Sequence, residues 1–442
     1  MLLTRSMMLV LVLVVFSAAS LSADDWPQWR GPQRDGVWRE SGIVTSIPKD
    51  GLPVTWRVPV GLGYAGPAVA DGKVFLADYE KTSGTIKNSP GGVAELTGNE
   101  RLRCFDVKTG DELWTAKYDQ PYKLSYPAGP RCTPTIDGDR VYFLGAEGRL
   151  GCYRTADGEE VWSKNLNEEY NTKSPFWGHA AHPLVHGDLL FCVVGGEGSV
   201  AVAFNKKTGE EVWRALDAPE QADCPPSLIK HAGVEQLLIW TPTTLNSLNP
   251  KTGEAYWSLP FQPQYGMSVT MPVKLGNKLY VSGIGAVGAV IDLDEDQPGA
   301  KFVWKGNTKN ALYTCNSTPL LDDGMIYGCD INSGALVGAS LEDGERLWST
   351  TAATNGNPRG DRHATCYLVK HNNHFWLFSE TGDLILANLS PKSYDELGRF
   401  HLLEPTNEAF GRPVVWSHPA FAEKSVFARN DKELVRVDLS AK

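Results

Sequence analysis

The sequence predicts an all-β chain: an eight-bladed β-propeller of four-stranded antiparallel blades. Three observations predict it. A Gly-to-Trp phrase recurs along the chain, Pro-led strands and tight turns fill the intervals in a fixed order, and the last unit lacks a strand that the N-terminal region can supply.

The phrase is Thr109-Gly110 to Trp114, Asp157-Gly158 to Trp162, Thr208-Gly209 to Trp213, Thr252-Gly253 to Trp257 and Asp343-Gly344 to Trp348, each with Gly and Trp four residues apart. Looser copies end at Trp304, with Gly299 one residue further back, and at Phe400, with Gly398 too close. Counted from Trp56, these ends recur every 44 to 58 residues, the length of a four-stranded blade. Between them one order returns: a short strand after a Pro, an Asp-Gly turn, and two β-rich strands. Pro134 to Gly138 before Val141-Tyr142-Phe143-Leu144 is one example, and Pro319 to Gly324 before Met325-Ile326-Tyr327 another. Asp-Gly supplies the positive φ of a hairpin turn, and the flanking residues suit a buried pleated sheet. The repeated Trp side chains are expected to dock blade against blade, since a large aromatic ring fills the gap between adjacent sheets.

Seven units run from Trp56 to Phe400, and an eighth begins at His401 without a closing Trp strand. Pro53-Val54-Thr55-Trp56 is the candidate for that strand, which would close the ring with both termini and leave no open edge. Seven blades with one irregular unit is the alternative.

The chain of 442 residues carries a formal charge of -10 and no Lys/Arg-rich run, which excludes the basic footprint of nucleic-acid binding. Arg5, the apolar run from Met7 to Phe16 and the small residues Ser17 to Ala23 follow the order of a secretory signal. The expected organisation is therefore a signal peptide over 1–23, a Trp-rich leader over 24–52 and one propeller domain over 53–442. No later stretch is long enough for a transmembrane segment, and no cysteine stands near the cleavage region to take a lipid anchor. The expected location is periplasmic or secreted. The eight cysteines show no CxxC, CxxCH or adjacent pair, so no haem attachment, thiolate zinc site or bridge is assigned from spacing.

The phrase Ala-x-Asp-x-x-Thr-Gly-x-x-x-Trp is matched loosely at Cys104 to Trp114 and at Ala203 to Trp213. On it the chain resembles the PQQ-like β-propeller repeat family over about residues 53 to 440. Trp26-Pro27-Gln28-Trp29-Arg30-Gly31-Pro32 resembles the leader before many such propellers. The resemblance implies the fold. For function it implies either a BamB-like scaffold of outer-membrane assembly or a quinoprotein dehydrogenase holding PQQ with calcium. The dehydrogenases' adjacent cysteines and calcium set have no match here, so no catalytic residue is carried over.

In a propeller, the loops entering the innermost strands share one face with the loops joining the second and third strands. Here they are long: 115–133, 163–182, 349–365 and 401–418, with an insertion over 81–100. His179, His182, His363 and His418, four of the nine histidines, fall within four residues before an inner strand. Arg131, Asp223, Asn316, Asp361 and Arg362 occupy the same zone, with Trp177, Tyr313 and Trp416. The expected ligand-binding mouth is Arg131, Trp177, His179, His182, Asp223, Asn316, Arg362, His363, Trp416 and His418. His186, in an extended strand, belongs to the opposite face, and Asp292 to Asp296 reads as a solvated turn and not a calcium loop. No metal site, cofactor or catalytic group is assigned. The expected function is non-catalytic binding of an envelope protein or other extracytoplasmic ligand by a monomer. The alternatives are a PQQ-dependent oxidoreductase and a carbohydrate-binding propeller.

Overall fold

A computed structural model describes residues 24–218 and 222–441; the signal-like segment 1–23 lies outside the described residues. Among the described residues the strands form eight antiparallel blades of four strands each, one of them with a fifth strand added, and a separate two-stranded hairpin, settling the blade count at eight. In chain order the blades start at inner strands Ala68–Ala70, Thr135–Asp137, Leu184–His186, Ser227–His231, Val273–Leu275, Leu320–Asp322, Cys366–His371 and Ala420–Ala422. Blade 2 is typical: Thr135–Asp137, Arg140–Leu144, Arg149–Arg154 and Glu160–Asn165 pair in sequence order. The expected closing strand is Val54–Pro59, antiparallel to Glu433–Asp438 on the outside of blade 8. One four-residue helix, Leu166–Glu169, interrupts the loop after blade 2.

A β-bulge precedes the Trp position in every outermost strand. In blade 2, Glu160 pairs with Tyr153 and Trp162 with Cys152, leaving Val161 unpaired. The same shift occurs at Leu113, Val212, Val303 and Leu347, which are among the exposed large apolar residues. The extra residue tightens the twist and turns the following Trp toward the next blade. In blade 7 this register puts Gly398, not Phe400, in the place of Trp. A Cβ at Gly398 would lie 3.1 Å from the Ile47 side chain, so the leader fills the vacancy.

The two longest strands, Lys73–Ser83 and Ala94–Asp106, carry the 81–100 insertion as an extension of blade 1, and Tyr122–Leu124 adds a fifth strand there. The strand Glu112–Asp119 runs past Thr115, so the following loop is shorter than expected. His186 ends its inner strand and pairs with Glu235 of blade 4 at 3.1 Å. Asp294 of the acidic run accepts the Asp296 amide, organising its own turn.

The leader fills the channel. Inner strands have no neighbour on their channel edge, so their backbone groups need other partners. Trp26 exchanges two hydrogen bonds with Val69, Pro27 accepts from Ile136, and Gly36 and Trp38 bracket Lys370. Arg30 donates to the carbonyls of Thr318 and Pro319, and Arg34 to those of His182, Pro183 and Pro226. Those carbonyls immediately precede or begin the Pro-led approach to blades 3, 4 and 6. Burial lowers Arg30 to about 10 and Arg34 to about 9, so both stay charged at neutral pH. Trp26 and Trp38 join the core shared by blades 7, 8 and 1.

Replacing Arg34 with Ala would strip donors from three buried carbonyls. The expected loss is about 2–5 kcal/mol in urea unfolding. Arg39→Ala, which removes an exposed pair with Asp35, is the control and should change stability by less than about 0.5 kcal/mol.

Candidate functional site

The loops entering the eight inner strands surround a cavity of about 820 Å³ on one face of the ring. Every blade contributes to its wall: Tyr64 before blade 1, Tyr126 and Arg131 before blade 2, Trp177 and His182 before blade 3, and Asp223 before blade 4. Met267, Asn316, His363 and Trp416 do so before blades 5 to 8. Trp29 of the leader lines the cavity from the channel side. Phe176, Tyr265 and Phe410 are exposed at 42%, 71% and 41%, so the rim is open and aromatic.

Nine of the ten expected mouth residues line this cavity: Arg131, Trp177, His182, Asp223, Asn316, Arg362, His363, Trp416 and His418. His179 does not. It is buried beside the cavity with Nε2 3.3 Å from Asn167 Oδ1. Tyr313 and Asp361 are also absent from the wall: Tyr313 is buried against its own loop, and Asp361 accepts from Asn355 and Asn357. Sequence reasoning missed Trp29, Tyr64, Tyr126, Phe176, Tyr265 and Phe410. Tyr64 lies three residues before Pro67, inside the same window that selected the histidines, and could have been found there.

Much of the polar lining is committed to holding the wall in place. Arg131 donates to the carbonyls of Trp177, Gly129, Ser125 and Tyr126, and its guanidinium lies 5.2 Å over the Tyr64 ring. Asn316 Nδ2 donates to His363 O at 3.0 Å, tying the blade 6 loop to that of blade 7. His182 Nδ1 accepts the Thr133 amide at 3.0 Å, which leaves the proton on Nε2, and its ring stacks on Trp29 at 4.6 Å. Glu380, fully buried, accepts from Arg412 at 2.8 Å, Trp416 Nε1 at 3.0 Å and Asn355 at 3.2 Å. It therefore anchors Trp416 and the hairpin Asn407–Ala409 with Arg412–Val414, which presents Phe410. Phe410 in turn stacks on His363 at 4.6 Å. Arg362 is exposed and makes no hydrogen bond or ion pair among the described residues.

Burial holds the mouth histidines neutral. It lowers His363 to about 4, with Arg362 and Arg412 adding to the effect, and His418 to about 3, with Arg30 adding. His182 falls well below its ordinary value by burial and the neighbouring His418 and Arg34. Burial pushes the Cys315 thiol up to about 12, so it is no thiolate at neutral pH. Among the described residues, no three His, Cys, Asp or Glu side chains are placed to share a metal ion. The site can enclose an apolar or aromatic group and offers Arg362 as a charged contact at its edge.

Comparison with solved structures finds the same architecture. BamB from Moraxella catarrhalis is 13% identical with a TM-score of 0.54, covering 88% of this chain and 97% of its own. The quinohemoprotein alcohol dehydrogenase from Comamonas testosteroni is 13% identical with a TM-score of 0.61, covering 95% and 81%. A europium-containing methanol dehydrogenase is 12% identical with a TM-score of 0.59, covering 94% and 89%. At such identities the likeness is one of fold. No curated protein sequence matches. The family model described as outer membrane protein assembly factor BamB matches residues 98–350 and 242–441, well over half of the sequence. The chain belongs to the PQQ-like β-propeller repeat family that this model describes.

Proposed function

We propose that the chain works outside the cytoplasm as a non-catalytic binding propeller, receiving a segment of an envelope protein in its aromatic mouth. The observation that carries this reading is the 820 Å³ cavity, walled by all eight blades and rimmed by Phe176, Tyr265 and Phe410. Exposed aromatic side chains around a concavity are the composition of protein-binding hot spots. The outer-membrane assembly factor named by the family model is a precedent for this kind of role. The signal-like order of residues 5–23 supports an extracytoplasmic location. Among the described residues no helix is long and apolar enough to cross a membrane.

PQQ with calcium is less well supported by the residues present. A calcium ion takes six to eight oxygen ligands, whereas the cavity wall carries one carboxylate, Asp223. The Arg131 donors are already on backbone carbonyls, which leaves Arg362 at the cavity edge as the cation that could meet a carboxylated quinone. Sugar binding is less well supported, since Trp177 and Trp416 are half-buried and Trp416 is tethered to Glu380.

A photo-crosslinker at Tyr265 in intact envelopes should capture one reproducible protein. Trp416→Ala should weaken binding of that protein by about 2 kcal/mol, roughly thirtyfold in Kd. Tight, stoichiometric binding of PQQ and calcium with dye-linked alcohol oxidation would instead overturn the reading. Glu380→Gln should leave far-UV circular dichroism unchanged while exposing the 407–414 hairpin to limited proteolysis and lowering partner affinity. The pH dependence of stability has a definite sign. Burial lowers His179 to about 4 from 6.5; between those values the unfolded chain takes up a proton that the folded chain does not. Its contribution to stability is therefore full above pH 6.5, declines as pH falls and is lost below about 4, by at most about 3 kcal/mol. Thermal melts of the wild type and of His179→Gln should diverge in slope across that window.

A further inference from the structure

Cys329 lies in the second strand of blade 6, Met325–Asp330, and Cys366 opens the inner strand of blade 7, Cys366–His371. Their sulfur atoms are 3.4 Å apart, and the Cys366 amide donates to Cys329 Sγ at 3.1 Å. Both residues are buried in one apolar cluster with Leu320, Tyr327, Leu336, Leu368 and Leu377. Cys329 Sγ also lies 3.6 Å from Cys366 O, the kind of sulfur-to-carbonyl contact that Cys132 makes with His179 O and Cys224 with the carbonyls of Pro225 and Thr270, but among the described residues those two have no sulfur–sulfur contact beside it. The 3.4 Å gap between the sulfurs is little more than 1 Å longer than the roughly 2.05 Å of a disulfide.

We propose that Cys329 and Cys366 form a disulfide that staples blade 6 to blade 7 directly beneath the mouth. Each thiol gives up one proton and one electron as the sulfur–sulfur bond forms. A disulfide-bearing oxidant, either glutathione disulfide or an oxidised thiol oxidoreductase, accepts both electrons and both protons and leaves as two thiols. The buried sulfurs are reachable only before the two blades dock, so the bond forms during folding. Its position gives it a task. Arg362 and His363, a few residues before Cys366, line the cavity, and two backbone-directed bonds already join this wall across the same junction. These are His363 N to Ile331 O at 2.8 Å and Asn316 Nδ2 to His363 O at 3.0 Å. The staple joins the two strands that flank the His363–Ile331 bond, and it constrains the unfolded chain between positions 37 residues apart.

The test begins with reduced, denatured protein refolded in a buffer of oxidised and reduced glutathione, then acid-quenched. It is next alkylated under denaturing conditions without reductant, digested and weighed by mass spectrometry. The expected product is one cross-linked peptide pair joining Cys329 to Cys366, lighter by two hydrogens than the reduced peptides, with the other six of the eight cysteines alkylated. Adding reductant should lower the melting temperature of the wild type by on the order of a few degrees and leave Cys329→Ala/Cys366→Ala unmoved. Recovery of both cysteines alkylated, or of either linked to a different cysteine, overturns the proposal. Because the buffer supplies the oxidant, that result counts against the pair and leaves the extracytoplasmic reading untouched.

Discussion

The ring depends on one contact, repeated: the indole of one blade lying flat against a glycine of the next. A Cβ at Gly158 would sit 2.5 Å from the Trp114 ring, and one at Gly209 would sit 2.7 Å from that of Trp162. The same approach occurs at Gly110 on Trp56, Gly253 on Trp213 and Gly344 on Trp304. Each indole then donates to a carbonyl of the neighbouring blade, as Trp56 does to Val107 at 3.0 Å and Trp162 to Lys206 at 3.2 Å. No other residue can allow that approach at a positive φ, and no smaller side chain would bridge the gap. Where the pattern lapses, local substitutes appear. Trp257 turns back to Gln236 of its own blade at 3.1 Å, and Trp348 donates to Ser390 O of the next blade at 2.8 Å while its ring lies against Gly338 of its own blade. At the last junction Phe400 meets Gly51 of the leader, whose Cβ would lie 2.7 Å from the ring.

That last junction joins the closure of the ring to the building of the site. The stretch that supplies Gly51 and Ile47 to blade 7 continues into the strand that completes blade 8, and its upstream part satisfies the channel-facing backbone of blades 1, 2, 3, 4, 6 and 7. Two buried guanidiniums do what a hydrated channel would otherwise do for the carbonyls. One consequence is that the mouth ends at Trp29 rather than in an open bore.

The blades were legible in the sequence because their constraint is periodic. A glycine and a tryptophan at fixed separation betray a contact that every blade must repeat, and the unmatched end of unit eight pointed to Val54–Pro59. Gly51 stands five residues before Trp56, the spacing of Gly299 and Trp304, yet it went unread because a leader was not expected to carry a blade turn. The mouth was legible to the extent that strand register decides it: positions just before an inner strand converge whatever the loop does. Residues further back obey loop geometry instead. Tyr265 takes φ 60° and His363 φ 63°, turns that no hydrophobic period announces. His179 has the same residue type and nearly the same register as His182. A few residues of extended chain separate a ring stacked on Trp29 from one packed against Asn167.

The wall's chemistry bears on what the cavity could discriminate. Arg131, Asn316 and Glu380 are turned onto the protein's own backbone and side chains, and the His182 Nδ1 is occupied by an amide. The neighbouring histidines are neutral at physiological pH. On the proposed reading, a partner would meet shape and aromatic surface first, with the unpaired guanidinium of Arg362 to set orientation. Specificity of that kind resides in the relative positions of loops from different blades. It holds only as well as those loops are fixed. If the mouth binds as proposed, the internal polar clasps and the plugged ring would shape recognition without touching the partner.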